Sequence, residues 1–436
     1  MRTGGRLQAA IEILDLMERR HRPAADALKE WASAHRFAGS GDRAAIGNLV
    51  FDSLRRRRSF GWLAGDETPR GVVLAAYAFG WGAGMDGLEA ALADDPHAPA
   101  ALSQDERDRL AAADLVGAPD AVRADCPDWL WPSFQAIFGN DAVAEVSALA
   151  LRAPVDLRAN TLKADREKVL KNLAHLKPEP MDLAPDGVRL PAGEGFARQP
   201  NIEAEAEWRK GWFEVQDAGS QLAALLSGVT PGMQVCDLCA GAGGKTLALA
   251  ALMNNSGQIH AYDSDRNRLA NIHERLQRAG VRNVQVRDPA RQPDLADLNG
   301  RMDIVLVDAP CTGAGTWRRR PDAKWRLSPE ALEKRREEQR AVLDASVPLV
   351  APGGRIVYIT CSLLPEENDE QIEGLVQRAP GLRVADAAAN ALAVLGEDQG
   401  QALLERAILT RHGLSLTPAR TGTDGFYIAI LVREAS

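Results

Sequence analysis

Two cysteines, Cys311 and Cys361, each follow a hydrophobic run of the kind that forms a buried β-strand. The first ends the segment MDIVLVDAPC and the second ends GRIVYITC. A thiolate is an intrinsically strong nucleophile that can add to an electron-poor ring and leave again later. Asp308, three residues before Cys311, adds a carboxyl group at the end of the same predicted strand. Two thiols and a carboxyl delivered together indicate covalent catalysis on a flat, electron-poor ring.

A glycine-rich turn, DLCAGAGGKT at residues 237–246, precedes both cysteines. Glycines leave room for backbone N–H groups to approach a ligand closely. The turn matches the end of a phosphate-binding loop, but Cys239 stands where that motif requires glycine. The sequence therefore predicts a cofactor loop of another kind. Its contacting residues would be Cys239, Ala240, Gly241, Ala242, Gly243, Gly244 and Lys245.

Aspartates stand at the ends of the next predicted strands. Asp263 is placed to accept hydrogen bonds from a ribose diol, and Asp288 to receive an adenine amino group. Together with Asp308 they would repel the phosphates of a nucleoside triphosphate. The set therefore favours S-adenosylmethionine as cofactor. The alternative is that each aspartate only caps the helix that follows it.

The elements that must position these residues begin near residue 216, where strands, glycine turns and helices alternate. This alternation predicts a doubly wound, Rossmann-like α/β fold with a parallel sheet, whose ligands lie outside the carboxyl ends of the strands. Before it, residues 131–215 predict a small α+β module, and residues 1–130 predict an all-helical domain. The strands expected in the sheet are 233–239, 258–263, 284–288, 303–309 and 355–360, followed by the late pair LSLTPA and GFYIAILV.

The helical character of the first domain follows from its apolar spacing. Leu7, Ile11 and Leu14 recur at helical intervals, as do apolar residues in GDRAAIGNLVFDSLRRRR. Asp42 is the expected N-cap of that second helix. The basic run Arg55, Arg56, Arg57 and Arg58 would then end the helix, where cations also complement its macrodipole. A structural interpretation of these arginines therefore competes with an RNA-binding one.

Composition restricts the class of protein. The chain has 436 residues, of which 45% are apolar and 26% charged, a balance typical of globular proteins with two or three domains. It contains no run of about 18 uninterrupted apolar residues, so we expect no membrane span. Five cysteines, an odd number, favour a reducing compartment, and we expect a cytoplasmic monomer. Cys236 and Cys239 form a C-x-x-C without a second pair, so no metal site is expected.

The net charge of −8 by itself disfavours a nucleic-acid partner. The distribution of the charges along the chain changes this expectation. Two basic patches stand out: the run 55–58 and the segment WRRRPDAKWR at 317–326, which interleaves cations with tryptophans. A single charge run is most often a solvated face. Two such patches, one of them close to Cys311 in the chain, favour a polyanionic substrate.

Five motifs together resemble one family. DLCAGAGGKT, DAPCTGAG, RRRPDAKW, YITCSLLPEEN and DGFYIAIL occur in the order found in the Sun-type RNA (cytosine-5) methyltransferases. The similarity covers roughly Pro127 to Arg433. The helical start resembles, more loosely, the NusB-like RNA-binding domain of bacterial members. One departure is Ala242, where the family loop usually has proline.

The resemblance implies roles for the residues. Cys361 would add to C6 of cytosine, Cys311 would assist release of the product, and Asp308 would hold or protonate the N3 edge. DNA cytosine methyltransferases instead use the cysteine of the Pro-Cys motif, whereas the Thr-Cys-Ser cysteine distinguishes the RNA enzymes. Basic residues would bind RNA and provide an electropositive setting for the thiolate: Arg318, Arg319, Arg320 and Lys324.

The implied substrate is small-subunit ribosomal RNA. Two alternatives stay open: the same chemistry on transfer RNA, and a noncatalytic RNA-binding or assembly factor that retains the fold.

Overall fold

The computed structural model describes residues 1–93, 95–197, 200–291 and 295–435. The chain forms two compact units. The helical unit comprises Met1–Ala153, Ala192–Gln199 and Trp317–Leu327. The sheet unit comprises Pro154–Pro191, Pro200–Thr316 and Ser328–Ser436. Each unit is therefore assembled from stretches that are separated in the sequence, whereas the sequence analysis placed three domains one after another.

Within residues 1–93 and 95–153, the helical unit contains ten α-helices, which continue beyond the boundary expected near residue 130. They are α1 (Thr3–Arg20), α2 (Ala24–Ala34), α3 (Ser40–Arg55), α4 (Arg57–Ala64), α5 (Pro69–Ala75), α6 (Gly84–Ala93), α7 (Gln104–Ala111), α8 (Asp120–Arg123), α9 (Trp131–Phe138) and α10 (Ala142–Ala148). A single π-helical turn at Ala76–Gly80 follows α5. Among the described residues, no helix has the length and apolar character that crossing a bilayer demands.

The apolar spacing of the first helices produces the core of this unit. Leu7 of α1 is fully buried, and it belongs to one cluster with Leu49 of α3 and Val73 of α5. The expected N-cap of α3 is wrong by three residues. The helix begins at Ser40 after an extended Gly39, so Asp42 lies in its first turn. There its carboxylate bonds the Arg6 guanidinium at 2.8 Å and the terminal amine instead of capping the helix.

The sheet unit opens with the α+β module. Its four strands are β1 (Val155–Ala159), β2 (Glu179–Pro180), β3 (Gly187–Leu190) and β4 (Phe213–Val215), and its helices are α11 (Arg166–Asn172) and α12 (Ala206–Arg209). The strands form an antiparallel sheet in the order β2-β3-β1-β4. Leu157, Val169 and Phe213 are fully buried between sheet and helix. This combination of strands and helices confirms the prediction of a small α+β module.

A nine-stranded sheet makes up the rest of the unit. Its strands are β5 (Gln234–Asp237), β6 (Gln258–Tyr262), β7 (Val284–Arg287), β8 (Met302–Asp308), β9 (Val350–Thr360), β10 (Leu382–Val384), β11 (Ile408–Leu409), β12 (Leu414–Leu416) and β13 (Phe426–Arg433). The helices of this part of the chain are α13 (Ala218–Leu226), α14 (Gly244–Leu252), α15 (Arg266–Leu269), α16 (Ile272–Ala279), α17 (Pro321–Arg326), α18 (Pro329–Ser346), α19 (Asp369–Arg378), α20 (Ala387–Leu395), α21 (Glu397–Leu404) and α22 (Pro418–Thr421). Of these, α17 belongs to the helical unit.

The expectation of a purely parallel sheet needs correction. The order is β11-β12-β13-β9-β8-β5-β6-β7, and β5 to β9 are parallel as predicted. β13 runs antiparallel to β9, and β10 and β12 run antiparallel to β13. Fewer than a dozen residues join β11 to β12 and β12 to β13, and such short connections do not allow the crossover that parallel pairing requires. The sheet is therefore mixed.

The topology places five strand ends together. From β5 the chain winds through β6 to β7, and then returns to the other side of β5 for β8 and β9. The carboxyl ends of these parallel strands meet at one edge, and the winding reverses between β5 and β8. The loops that follow β5, β8 and β9 therefore lie side by side at the switch point. These loops carry the glycine turn and the two cysteines.

Candidate active site

The two cysteines lie next to each other. Cys361 directly follows β9, and Cys311 lies just after β8, which pairs with β9 in parallel as far as Asp308 and Ile359. Their Sγ atoms are 3.3 Å apart, within hydrogen-bonding distance for sulfur. The backbone N–H of Gly315 donates to the Cys361 carbonyl at 3.0 Å, which fixes the end of one loop against the other. Both cysteines are partly exposed.

The contact between the thiols affects the ionisation of Cys311. The pKa of Cys311 lies well above its usual value, first because of the hydrogen bond with Cys361 and second because of burial. Two thiols in contact do not readily both ionise, since the second negative charge would repel the first. Cys311 therefore stays protonated, and its S–H group can donate to the Cys361 sulfur.

Asp308, the last residue of β8, has a cation as its partner. The Lys245 ammonium, on the first turn of α14, is 2.7 Å from the Asp308 carboxylate. Lys245 is nearly buried, and its Nζ lies 5.3 Å from the centre of the Phe426 ring. In this ion pair the Asp308 carboxyl keeps 34% of its side-chain surface exposed.

The glycine turn is held by bonds to the loop after β6. Gly241 N–H donates to the Asp263 carboxylate at 2.9 Å, and Ala240 N–H donates to the Tyr262 carbonyl at 2.8 Å. Gly243 has a φ of 86°, and a Cβ there would lie 2.6 Å from the Ile272 side chain. Only glycine fits this position without displacing α16. The turn therefore takes the shape predicted from its composition.

The space beside the turn suits a ligand. A Cβ on Gly244 would meet no atom of the described residues within 4 Å. Asp237, at the end of β5, is buried, and its Oδ1 has no hydrogen-bond partner among the described residues, whereas its Oδ2 accepts from Thr246 at 2.7 Å. Burial raises the pKa of Asp237 to about 7. An unsatisfied carboxyl next to an open glycine loop suits a cofactor with donor groups, such as a ribose or an amine.

The two other aspartates differ in their surroundings. Asp263 is 3% exposed, and its second oxygen accepts from Asp265 N–H at 2.9 Å, so it organises the turn directly. Asp288 follows β7 and keeps 31% of its side-chain surface exposed. Its carboxylate accepts from Ala290 N–H at 3.0 Å and lies 3.9 Å from the Arg266 guanidinium. The structure thus brings Asp263 to the turn and leaves Asp288 farther along the same edge.

Of the remaining cysteines, Cys126 and Cys236 are buried, and Cys239 is partly exposed. Burial raises the pKa of Cys126 to about 12, and it also raises the pKa values of Cys236 and Cys239. A thiol that ionises so reluctantly is a poor nucleophile at neutral pH. No group of three or more potential metal ligands occurs among the described residues.

The basic segment 317–326 is packed into the helical unit. Lys324 is 2% exposed, and its ammonium donates to the Arg55 carbonyl at 2.9 Å. Burial lowers the pKa of Lys324 to about 8. Arg318 is also buried, whereas Arg319 and Arg320 are exposed. A phosphate would have to displace existing packing to reach Lys324 or Arg318, but it can reach the other two directly.

The basic run 55–58 does not end one helix as expected. Its residues straddle the junction between α3, which ends at Arg55, and α4, which begins at Arg57. Three of the four arginines form ion pairs within the helical unit, and Arg56 is exposed. The pairs are Arg55–Asp52, Arg57–Glu18 and Arg58–Asp128.

A buried carboxylate that the sequence analysis did not single out lies behind the cysteines. Glu367 is fully buried and accepts hydrogen bonds from the backbone and hydroxyl of Thr312 at 2.8 and 2.5 Å. The sequence feature that could have indicated this residue was the PEEN ending of the motif YITCSLLPEEN. The spacing of that ending did not indicate which of its two glutamates faces inward.

Two family profiles match this chain. The one described as 16S rRNA methyltransferase RsmB/F matches residues 225–432, from the end of α13 to β13. The one described as the ferredoxin-like domain of RsmF/B-like methyltransferases matches residues 126–194, which include strands β1 to β3.

Curated relatives carry corresponding names. Ribosomal RNA small subunit methyltransferase B of Sodalis glossinidius is 32% identical over 72% of this chain and 68% of its own length. A probable enzyme of the same name from Bacillus subtilis is 31% identical over 72% and 68%. The probable enzyme of Synechocystis is 37% identical over 58% of this chain. The matched region spans only 56% of that Synechocystis relative.

Solved structures share the fold. The crystal structure of PH0851 covers 99% of both chains with a TM-score of 0.69 at 22% identity. A methyltransferase homologue from Pyrococcus horikoshii, 26% identical, covers 72% of this chain and 97% of its own with a TM-score of 0.56. NSun6 from the same organism, crystallised with SFG, has a TM-score of 0.58 over 71% of this chain at 22% identity.

Proposed function

Because the chain belongs to the RsmB/F family of 16S rRNA methyltransferases, we propose that it transfers a methyl group from S-adenosylmethionine to C5 of a cytosine in small-subunit ribosomal RNA. The observation that carries the proposal is the contact of 3.3 Å between the Cys311 and Cys361 sulfurs. Asp308, which ends the strand before Cys311, forms an ion pair with Lys245. Cysteines that only fill the core need neither contact with a second thiol nor a position at the switch point of the sheet.

Cys361 is the proposed nucleophile. C5 of cytosine is too poor a nucleophile to take a methyl group unaided, but addition of a thiolate to C6 makes C5 electron-rich. The S–H group of Cys311 supports this assignment, because a hydrogen bond from one sulfur stabilises negative charge on the other. The cofactor supplies an electrophilic methyl group.

Product release reverses the addition. C5 loses its proton to solvent, the double bond between C5 and C6 forms again, and the bond from C6 to the Cys361 sulfur breaks. The departing thiolate can then accept the hydrogen bond of Cys311. Asp308 would face the N3 edge of the ring, and the Lys245 ammonium would offset the negative charge that develops there.

The glycine turn would hold S-adenosylmethionine. Its open side at Gly244 and the unsatisfied oxygen of Asp237 support this placement, and so does the fold shared with NSun6, whose structure contains SFG, an analogue of the cofactor. Asp263 and Asp288 would accept hydrogen bonds from the ribose and the adenine. A cofactor with a positive sulfonium suits an edge that carries several carboxylates.

RNA binding is proposed for the exposed members of the basic patches. Arg56, Arg319 and Arg320 are accessible to phosphates, and the helical unit that carries them would serve as the NusB-like RNA-binding part. The target cytosine has to leave its stack to reach Cys361, so the RNA would be opened locally.

The test is a methylation assay with unmodified RNA. The purified protein is incubated with labelled S-adenosylmethionine and transcripts of 16S ribosomal RNA or transfer RNA, and the nucleosides are then separated by mass. Label in 5-methylcytidine from the 16S transcript is the expected result. Label confined to transfer RNA, or to another nucleoside, would contradict the proposed substrate or the proposed chemistry.

Replacing Asp263 by alanine should weaken cofactor binding. The change removes the acceptor of the Gly241 N–H together with the proposed ribose contact, and hydrogen bonds to a charged group contribute about 1.5–3 kcal/mol, or roughly 10- to 100-fold in affinity. Titration calorimetry with S-adenosylmethionine measures the effect, and a melting curve of the same sample identifies unfolding. Asp398→Ala, an exposed site on α21, should bind like the unmodified protein. Equal affinities of the two variants would remove Asp263 from the site.

A further inference from the structure

A fully buried carboxylate contacts both cysteine-bearing loops. Glu367 lies in the 3₁₀ turn before α19, and none of its surface is exposed. Its Oε1 accepts from the Thr312 N–H at 2.8 Å, and its Oε2 accepts from the Thr312 hydroxyl at 2.5 Å. The Ser362 hydroxyl is a further hydrogen-bond partner. Thr312 directly follows Cys311, and Ser362 directly follows Cys361, so one carboxyl group joins the two turns.

A second buried side chain completes the arrangement. Gln339 of α18 is fully buried, and its amide donates to the Glu367 carboxylate at 3.0 Å and to the Pro310 carbonyl at 2.9 Å. The residues on both sides of Cys311 are therefore held, one by Gln339 and the other by Glu367. The backbone of Glu367 is itself fixed, because the Tyr358 hydroxyl donates to its carbonyl at 2.7 Å.

Burial of a carboxyl group is unfavourable, which indicates that Glu367 does more than fill space in the core. Burial disfavours a charged carboxyl and raises the pKa of Glu367, and the bonds from Ser362 and Thr312 oppose that shift. An apolar side chain would stabilise a purely structural turn as well, without the need to satisfy a buried charge. Every donor around the carboxyl belongs to, or is bonded to, one of the loops that carry the thiols.

We propose that Glu367 is the positioning residue of the active site, which holds the loops of Cys311 and Cys361 so that their sulfurs stay in contact. The catalytic consequence rests on the proposed function, in which the S–H group of Cys311 has to reach the Cys361 sulfur during release. Glu367 touches neither the substrate nor the cofactor in this scheme. It acts through Thr312 and Ser362.

The geometric part is tested without RNA. Diamide oxidises two neighbouring thiols to a disulfide: the S–S bond forms, and the two protons and two electrons pass to the N=N bond of the reagent. The rate of closure between Cys311 and Cys361, followed by mass spectrometry of unreduced peptides, reports how often the two sulfurs meet. Glu367→Gln keeps the shape of the side chain but replaces one acceptor oxygen by an NH₂ group, so one of the donors around it loses its acceptor. Disulfide closure should therefore slow by at least about 10-fold.

The catalytic part is measured on the same protein. In single-turnover methylation Glu367→Gln should be slower by about 100-fold, because misplacement of a reacting group by an ångström has an effect of this size, while the affinity for S-adenosylmethionine stays unchanged. Glu370→Gln is the matched control, since Glu370 is an exposed residue of α19 paired with Arg336. It should behave like the unmodified protein in both assays.

A second variant covers the case in which Glu367→Gln does not fold. Thr312→Val keeps the N–H group that donates to Glu367 and removes only the hydroxyl, so it should slow closure and methylation by a smaller factor. Closure at the unmodified rate in either folded variant would overturn the proposal. If the unmodified protein closes the disulfide but methylates no RNA, the function is refuted, and the closure rates still decide the role of Glu367.

Discussion

A Cys361→Ala protein is expected to lose methyl transfer by at least about 1000-fold while it still binds S-adenosylmethionine, since removal of a covalent nucleophile has effects of this order or larger. Without the sulfur no bond to C6 forms, and C5 stays too weak a nucleophile. The glycine turn does not depend on Cys361, because its bonds run to Asp263 and Tyr262. Single-turnover methylation and cofactor titration on the same sample measure the two properties.

A cysteine outside the site provides the control. Cys126 is buried in the helical unit and its thiol ionises reluctantly, so Cys126→Ala should retain methylation. Full activity of Cys361→Ala would reject the assignment of the nucleophile. Loss of both methylation and cofactor binding in a folded Cys361→Ala protein would instead place the residue in the cofactor site.

A Cys311→Ala protein is expected to accumulate a covalent complex with RNA. Cys361 can still add to C6, but the departing thiolate loses the hydrogen bond that the contact of 3.3 Å provides. Turnover should fall by about 100-fold or more, in the range of a lost proton-transfer partner. A band of protein and RNA that survives denaturant, seen by gel electrophoresis, measures the complex.

The doubly substituted protein checks the identity of this bond. With both Cys311 and Cys361 replaced by alanine, no denaturant-resistant band should form. A band of equal strength in the double variant would mean that another residue attacks the base. Absence of the band in Cys311→Ala, with turnover intact, would remove Cys311 from product release.

The parallel half of the sheet was predictable because each strand is a short apolar run followed by a polar residue or a glycine. β5 to β8 were predicted within two residues of their observed bounds for this reason, whereas β9 begins five residues before its predicted start. The antiparallel direction of β13 was not predictable, since pairing direction depends on partners far away in the chain. The alanine-rich stretch 378–410, which suggested no structure, forms β10, α20, α21 and β11 through contacts with the rest of the sheet unit.

Those parts of the site that depend on local sequence alone were predictable. The glycine turn and both cysteines lie where strand ends at a parallel edge had to place them. The environment of Lys324 was not predictable, because its charge is enclosed with Asp125 and Arg55, residues some 200 or more positions earlier in the chain. The same holds for Glu367, whose partners Thr312 and Gln339 come from two other elements.

The segment Trp317–Leu327, which begins a few residues after Cys311, packs into the helical unit. The Trp317 ring is 1% exposed and meets the Phe134 ring edge-on at 5.6 Å, and the Trp325 indole donates to the Leu54 carbonyl at 2.6 Å. A shortened protein that lacks residues 1–153 would lose the Phe134 ring and the Leu54 carbonyl, the partners of the two indoles. Gene truncation or domain shuffling can therefore remove the N-terminal helices only if the segment Trp317–Leu327 is replaced at the same time.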